Sequence, residues 1–237
     1  MSKLSVAAVA GGTPLVEVRI GRAAGDERAR SAELVLGLAA GLAPPPPGRL
    51  RLGHEADGRP VVRGAAVHVS VSHGRGVLAA AASTDFPVGV DVEAVRRIPV
   101  RNLARRWLRA AEAEWIERRE PDERIVAFLW LWTQKEALGK ARGLGLAGGA
   151  GLSRAVWLPE SWPPSGRDLM GERGVAWLGP VPGDARLAVA AGFADGVVFA
   201  AAAQGANAVG AIVRTGPADL DGAHGRGGQR GQVADTA

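Results

Sequence analysis

The first half of the chain alternates apolar with polar or small residues over short stretches, a pattern typical of β-strands. It predicts strands within residues 4–20, at 49–52 and, as several short strands, over 67–93. A helix is predicted between them, from an N-cap at Asp26 to Leu42, because leucines recur there at helical spacing before a run of prolines.

The second half begins near residue 98 and is predicted to open with two long amphipathic helices. Three strands should follow a glycine-rich break, and all seven tryptophans lie after residue 106, so this half is expected to have a bulky core of its own. The predicted helices are 100–119 and 122–141, and the predicted strands are 155–158, 174–178 and 186–193. We therefore expect an α+β protein with an N-terminal lobe (1–97), a C-terminal lobe (98–205) and a disordered Gly/Ala-rich tail (206–237).

Composition narrows the classes of function that remain possible. The chain has no cysteine, which excludes disulfides, thiolate metal sites and cysteine nucleophiles. Its formal charge of +5 favours an acidic partner, which could be a nucleic acid, an anionic cofactor or an acidic protein. No apolar run reaches the roughly 18 residues of a membrane span, and the N-terminus lacks a signal-peptide pattern, so a cytoplasmic protein is expected.

Two acidic residues share one face of the strand "PVGVDVE". Because side chains alternate along a strand, the valines point one way while Gly89, Asp91 and Glu93 point the other. The Cα atoms of the two acidic residues should then lie roughly 6–7 Å apart, close enough for the carboxylates to hold one cation between them. This strand is therefore a candidate metal site.

The helix "FLWLWTQKEALGK" places charges where its apolar stripe should continue. Phe128 and Trp132 belong to the stripe, and Lys135, Glu136 and Lys140 occupy the next positions along it. A simple surface ion pair between Glu136 and Lys140 is one explanation. The other is a functional site, because an uncompensated carboxylate on an apolar face is costly unless a cation or ligand lies beside it.

A third stretch, "VSVSHGRG", ends a predicted strand in a glycine-rich turn. His73 and Arg75 lie there beside backbone N–H groups, a combination that suits phosphate oxygens. Asp91, Glu93 and Glu136 are hard oxygen ligands with no histidine or cysteine among them, which favours Mg²⁺ over zinc or copper. Phosphoryl-transfer chemistry is consistent with both features.

Four motifs in this order resemble the 4'-phosphopantetheinyl transferases of the larger, two-lobed type, which activate carrier proteins of peptide and polyketide synthases. They are "DGRP" (57–60), "SHG" (72–74), "GVDVE" (89–93) and "WTQKEALGK" (132–140), and the resemblance covers roughly residues 26–195. It implies two similar α/β lobes related by a pseudo-twofold axis, with the active site between them. It also implies a monomeric enzyme that moves the phosphopantetheine arm of coenzyme A to a serine of an apo carrier protein, releasing adenosine 3',5'-bisphosphate.

The resemblance also assigns roles to individual residues. It implies that Mg²⁺ is held by three carboxylates and that Glu136 is the base for the incoming serine, while Lys140 and His73 neutralise phosphate charge. The implied metal ligands are Asp91, Glu93 and Glu136; the implied catalytic residues are Glu136, Lys140 and His73; and the implied coenzyme A-binding residues are Arg59, Pro60, Ser72, His73, Gly74, Asp91 and Lys140.

The sequence departs from the family pattern at two places. Gly74 stands where many relatives have a second hydroxyl, and a lysine-bearing N-terminal segment that binds the 3'-phosphate in some relatives is missing, so that contact could fall to Arg28, Arg30 or another arginine. Glu112 matches a family glutamate near the site, although a helix-surface carboxylate explains it equally well.

The alternatives to a transferase are a non-catalytic coenzyme A-binding homologue and a basic nucleic-acid-binding protein; neither nucleic acid nor a membrane is expected as a partner.

Overall fold

The computed structural model describes most of the two predicted lobes. The described residues are 14–22, 25–43, 50–144, 152–159, 162 and 175–217. The first part of the predicted N-terminal strand, the proline run at 44–47 and the predicted tail from residue 218 onward lie outside them. No helix within these described ranges is both long and apolar enough to cross a bilayer.

The chain mixes helices and sheets, which confirms the predicted α+β class. In chain order the elements are β1 (Leu15–Arg22), α1 (Glu27–Leu42), β2 (Arg51–His54), β3 (Pro60–Arg63), β4 (His68–Gly74), β5 (Val77–Ser83), β6 (Val88–Ala94), α2 (Val100–Trp107), α3 (Ala110–Glu117), α4 (Arg124–Ala141), β7 (Val175–Trp177), β8 (Gly179–Val181), β9 (Asp184–Ala194), β10 (Val197–Gln204) and β11 (Ile212–Pro217).

The strands form two main sheets and a small hairpin, and the two halves of the chain exchange strands. The first sheet has the order β4-β5-β1-β11-β7, the second β6-β10-β9-β8, and β2 pairs with β3. Strand β6, which ends the first half, pairs with β10 of the second half. Strand β11 in turn pairs in parallel with β1. Each sheet therefore contains a strand from the other half, which ties the lobes together.

The helices and sheets stack in four layers, because the alternation of side chains gives each sheet two faces to pack against a neighbour. One face of each sheet contributes to a shared apolar core that includes Val16, Val90 and Phe199. Helix α1 packs on the outer face of the first sheet through Val35, Leu38 and neighbours. The outer face of the second sheet packs against the α4 region through a larger core with most of the bulky residues. Alternation decides which faces are apolar, and the helices cover the outer ones.

Two predictions about the second half are wrong. The single helix over 100–119 is two helices, because Leu108 is extended (φ −105°, ψ 163°) and the backbone N–H of Arg109 donates to a carboxylate oxygen of Glu112 at 2.9 Å, starting a new helix. The strand at 155–158 is absent, since 155–159 have no regular structure. Strand β10 had not been predicted.

The start of the predicted tail is also wrong. Residues 212–217 form β11, whose partners on β1 are nearly 200 positions earlier in the chain. A short segment with Gly210 just before it and Gly216 within it carries little periodicity of its own, so only its distant partner makes it a strand. Regular structure therefore extends at least to Pro217.

Helix α4 lies unusually close to β6, and Gly89 is the reason. A Cβ atom at position 89 would overlap the carbonyl oxygen of Ala137 and lie 2.6 Å from the backbone nitrogen of Ala141. Both atoms belong to the backbone of α4, so neither can rotate away. The absence of a side chain at Gly89 brings the last two turns of α4 onto the strand that carries Asp91 and Glu93.

We expect Gly89→Ala to destabilise the fold by about 2–4 kcal/mol, since the new methyl group must push a helix backbone away from the sheet. Gly37→Ala in α1 is the matched control: nothing lies within 4 Å of its added Cβ, so removing a helical glycine should stabilise by about 0.5–1 kcal/mol. Urea unfolding followed by circular dichroism measures both. A Gly89→Ala variant as stable as wild type would contradict the close approach of α4.

Candidate active site

Strand β6 presents two acidic residues toward α4, as its alternation predicts. Val88, Val90 and Val92 belong to the core between the sheets. Asp91 therefore lies on the opposite face, where it is 6% exposed, and Glu93 lies two residues further along at the edge of the buried region. The strand thus carries a carboxylate into a largely buried position under the helix.

Asp91 is the centre of a hydrogen-bonded cluster that joins three elements. Its Oδ1 accepts from Ser72 Oγ of β4 at 2.7 Å and from Lys140 Nζ of α4 at 2.8 Å. The same ammonium group donates to the carbonyl oxygen of Val90 at 2.9 Å. The second oxygen, Oδ2, is buried and has no hydrogen-bond partner among the described residues. Oδ1 of this carboxylate is therefore held by two donors, while Oδ2 remains available to a ligand.

Glu136, one turn before Lys140 on α4, is the second buried carboxylate. It is 7% exposed. Burial, the largest cause, and the negative charges of Asp91 and Glu93 together raise its pKa from 4.5 to about 7, while the nearby ammonium of Lys140 opposes the rise. Its Oε1 is buried without a partner within the described part of the chain. The structure thus places Glu136 beside Asp91 and away from bulk water.

The third predicted metal ligand, Glu93, is already neutralised. Its Oε2 accepts from the guanidinium of Arg96 at 2.7 Å, in a half-buried ion pair. Considering the described residues alone, no three histidine or acidic side chains lie close enough together to ligate a metal ion as they stand. The two buried, unpartnered oxygens on Asp91 and Glu136 are therefore the strongest metal-ligand candidates of the predicted set.

His73 and Gly74 end β4, and His73 lines a wider cavity of about 470 Å³. The imidazole Nδ1 is 3.3 Å from Glu27 Oε2 at the start of α1. Predicted residues Pro60 and His73 line this cavity together with Arg28, Ser31, Ala32, Val35, Leu52, His54 and Val71. Arg28, which lines this cavity, is one of the arginines that the sequence offered for contact with the 3'-phosphate. Nothing in the sequence had indicated His54.

Arg59 lies between the β2–β3 hairpin and the end of α4. Its guanidinium pairs with Glu55 Oε2 at 2.8 Å, and it lines a small cavity of about 60 Å³ with Lys140, His68 and others. Burial, and then the positive charge of Arg59, lower the pKa of His68. Arg59 therefore shares a cavity with Lys140, although the carboxylate of Glu55 already contacts part of the Arg59 guanidinium.

Lys135 and Glu112 form a separate, fully buried ion pair. Lys135 Nζ is 2.9 Å from Glu112 Oε2 and also donates to the carbonyl oxygens of Leu152 and Arg154. Burial lowers the pKa of Lys135 even though Glu112 opposes that shift. The interpretation of Glu112 as a helix-surface carboxylate is therefore wrong. The pair connects α3, α4 and the segment around residue 152 inside the core.

Comparison with known proteins agrees with this arrangement. Residues 87–190 match the family model described as the 4'-phosphopantetheinyl transferase superfamily. That range begins one residue before β6, contains all of α4 and ends within β9.

Three curated 4'-phosphopantetheinyl transferases are similar to parts of the same chain. The protein of Salmonella typhimurium is 35% identical over 81 residues, which are 34% of this chain and 42% of the relative. That of Bacillus pumilus is 33% identical over 96 residues (40% of each), and that of Aneurinibacillus migulanus is 30% identical over 80 residues (34% and 33%). The chain thus spans about two fifths or less of the length of these relatives.

The matched segment contains the buried carboxylates and the lysine that contacts Asp91. Asp91 and Glu93 lie on its first strand, and Glu136 and Lys140 lie on its longest helix. Over residues 87–190, therefore, the chain is similar to the 4'-phosphopantetheinyl transferase superfamily.

Proposed function

We propose that this protein transfers the 4'-phosphopantetheine arm of coenzyme A to a serine hydroxyl of an apo acyl or peptidyl carrier protein, releasing adenosine 3',5'-bisphosphate. The observation that carries the proposal is the buried contact between β6 and α4, where Asp91 and Glu136 each retain, among the described residues, an unpartnered carboxylate oxygen near the ammonium of Lys140. The similarity of the same segment to named transferases supports it. Burying such a cluster of charges lowers the stability of the fold. Clusters of this kind are typical of functional sites.

The residues present fit a divalent cation. Two buried carboxylate oxygens without hydrogen bonds are costly on their own, and oxygen donors are what Mg²⁺ prefers. Asp91 and Glu136 would supply these donors, and Glu93 would join them if it released Arg96. Mg²⁺ bound there would neutralise and align the pyrophosphate oxygens of coenzyme A.

Glu136 is proposed as the base that accepts the proton of the attacking serine hydroxyl, directly or through a water. A carboxylate whose pKa lies near 7 is better matched to this task at neutral pH than an ordinary glutamate. As the serine oxygen bonds to the β-phosphorus, the bond from that phosphorus to the bridging oxygen breaks and the nucleotide leaves. Lys140 is proposed to contact the phosphate oxygens on which charge accumulates.

The cavity beside His73 is proposed to receive the nucleotide part of coenzyme A. His73 and Arg28 bring cationic or hydrogen-bonding groups to one side of it, while Val35, Leu52 and Val71 supply apolar surface for a base or ribose. Pro60 at the start of β3 lines the same cavity, and Arg59 just before it lines the smaller cavity with Lys140, while Ser72 holds Asp91 in place and Gly74 ends β4 next to His73. We also propose a cytoplasmic monomer that serves acidic carrier proteins of peptide or polyketide synthases, consistent with the +5 charge.

The first test incubates the protein with coenzyme A, Mg²⁺ and a panel of apo carrier proteins. We expect an intact-mass increase of one phosphopantetheine on at least one carrier. Glu136→Gln should lower the rate at least about 100-fold, because the variant cannot accept the serine proton.

Arg63→Ala, on the exposed outer edge of β3, is the control and should transfer at the wild-type rate. Circular dichroism must show that Glu136→Gln is folded. No mass increase with any carrier would contradict the transferase, and a fast Glu136→Gln variant would refute the role of Glu136.

A second prediction concerns stability in the metal-free protein. The pKa of Glu136 is raised on folding, so its ionised form is disfavoured in the fold. The resulting loss of stability is absent below pH 4.5, grows as the pH rises toward 7 and stays constant above, reaching about 3 kcal/mol at most. Glu136→Gln, measured by urea unfolding in chelator, should therefore be more stable than wild type at pH 8 and similar to it at pH 4.5. A variant that is less stable at pH 8 would contradict the buried carboxylate.

The third prediction tests the nucleotide cavity. Removing the guanidinium of Arg28 should weaken binding of the phosphates, so Arg28→Ala should raise the KM for coenzyme A about tenfold with kcat little changed. Steady-state kinetics at saturating carrier protein measure the effect, again with Arg63→Ala as control. An unchanged KM would place the nucleotide elsewhere.

A further inference from the structure

Lys140 occupies a position different from the one that the proposed reaction requires of it. In the structure its ammonium group contacts Asp91 Oδ1 and the carbonyl oxygen of Val90, whereas phosphoryl transfer needs it on a phosphate. We propose that Lys140 is a stand-in cation: it neutralises the carboxylates before a divalent ion binds, and binding of that ion releases it toward the substrate phosphates. This inference rests on the proposed function.

The first argument is the balance of charge around Asp91. Three carboxylates, those of Asp91, Glu93 and Glu136, influence one another, and Arg96 pairs with Glu93 alone. Among the described residues, Lys140 is the cationic side chain in contact with Asp91, and its charge also acts on Glu136, so without it both buried carboxylates would be uncompensated. Buried, uncompensated carboxylates are strongly destabilising, so folding without a metal requires a positive charge from the chain itself.

The second argument is that Lys140 satisfies this requirement only partly. Its single positive charge contacts Oδ1 of Asp91, an atom that Ser72 also contacts, and leaves Asp91 Oδ2 and Glu136 Oε1 buried without partners. Lys135 differs in its position: it is fully buried and donates to two backbone carbonyls as well as contacting Glu112, which also keeps one buried oxygen, Oε1, without a partner among the described residues.

The third argument is that Lys140 can move. Its side chain is 26% exposed and lies in the last turn of α4, whereas that of Lys135 is 0% exposed. Lys140 and Arg59 line the same small cavity. A change of rotamer can therefore move the ammonium of Lys140 away from Asp91 and into that cavity, toward the guanidinium of Arg59. A lysine has four rotatable bonds and three donors, which suits it to exchange partners.

The consequence is a coupling between two binding events. A divalent cation at the carboxylates makes the ammonium of Lys140 available to an anion, and an anion that holds Lys140 removes a competitor from the carboxylates. Each ligand should then strengthen binding of the other through this one side chain.

The composition of the chain makes a direct test possible. The protein has only three lysines, so a sample labelled with ¹⁵N at lysine Nζ should give at most three ammonium signals, and Lys140→Gln assigns the one of interest. An ammonium held by a carboxylate and a carbonyl exchanges protons slowly and is visible, whereas a solvated one exchanges fast and is lost. We expect the Lys140 signal in chelator, and its loss or large shift when Mg²⁺ alone is added. The Lys135 signal should not change.

A second measurement uses binding heat. Lys140→Gln should bind Mg²⁺ alone more tightly than wild type, on the order of tenfold, because the competing ammonium is gone. It should also reduce the factor by which adenosine 3',5'-bisphosphate strengthens Mg²⁺ binding.

Three outcomes would overturn the inference. They are a Lys140 signal that saturating Mg²⁺ leaves unchanged, an equal Mg²⁺ affinity in wild type and Lys140→Gln, and no Mg²⁺ binding to the free protein at all. In each case the proposed function survives if the transfer assay is positive, and it fails separately if no carrier protein gains mass.

Discussion

The contact between α4 and β6 at Gly89 is the constraint on which the rest of the site depends. Because that position has no side chain, the helix backbone lies directly on the strand, and Lys140 reaches both Asp91 and the carbonyl oxygen of Val90. The same approach places Glu136 where burial and two neighbouring carboxylates raise its pKa to about 7. One glycine therefore sets both the packing of the second lobe and the electrostatics of the site. Exchange of β6 and β11 between the sheets then fixes the strand relative to Ser72 of the first lobe.

The site is stabilised by its surroundings and not by its own interactions. Asp91 and Glu136 leave buried oxygens without hydrogen bonds, which lowers stability. The apolar contacts of α4 with the second sheet offset that loss. Helix α4 thus carries two lysines with opposite roles: Lys135 is locked inside the core, and Lys140 is partly exposed and retains alternative partners.

The sequence predicted these central elements because their patterns are local. Alternation on β6 assigned the valines to one face and Asp91 to the other, and helical spacing on α4 placed Glu136 and Lys140 together. The errors arise where distant partners decide the structure. Strand β11 depends on β1 at the opposite end of the chain, and the helix break at Leu108 has neither glycine nor proline to signal it. Likewise the burial of Glu112 depends on Lys135 of another helix, which no spacing within α3 reveals.

The central claim is that Asp91 and Glu136 belong to one cation site at which coenzyme A binds. A crystal structure of the protein with coenzyme A and Mg²⁺ tests it most directly. The account predicts one Mg²⁺ about 2.1 Å from Asp91 Oδ2 and from a carboxylate oxygen of Glu136, with pyrophosphate oxygens completing its coordination. A cation bound elsewhere, or a pyrophosphate remote from β6 and α4, would contradict it.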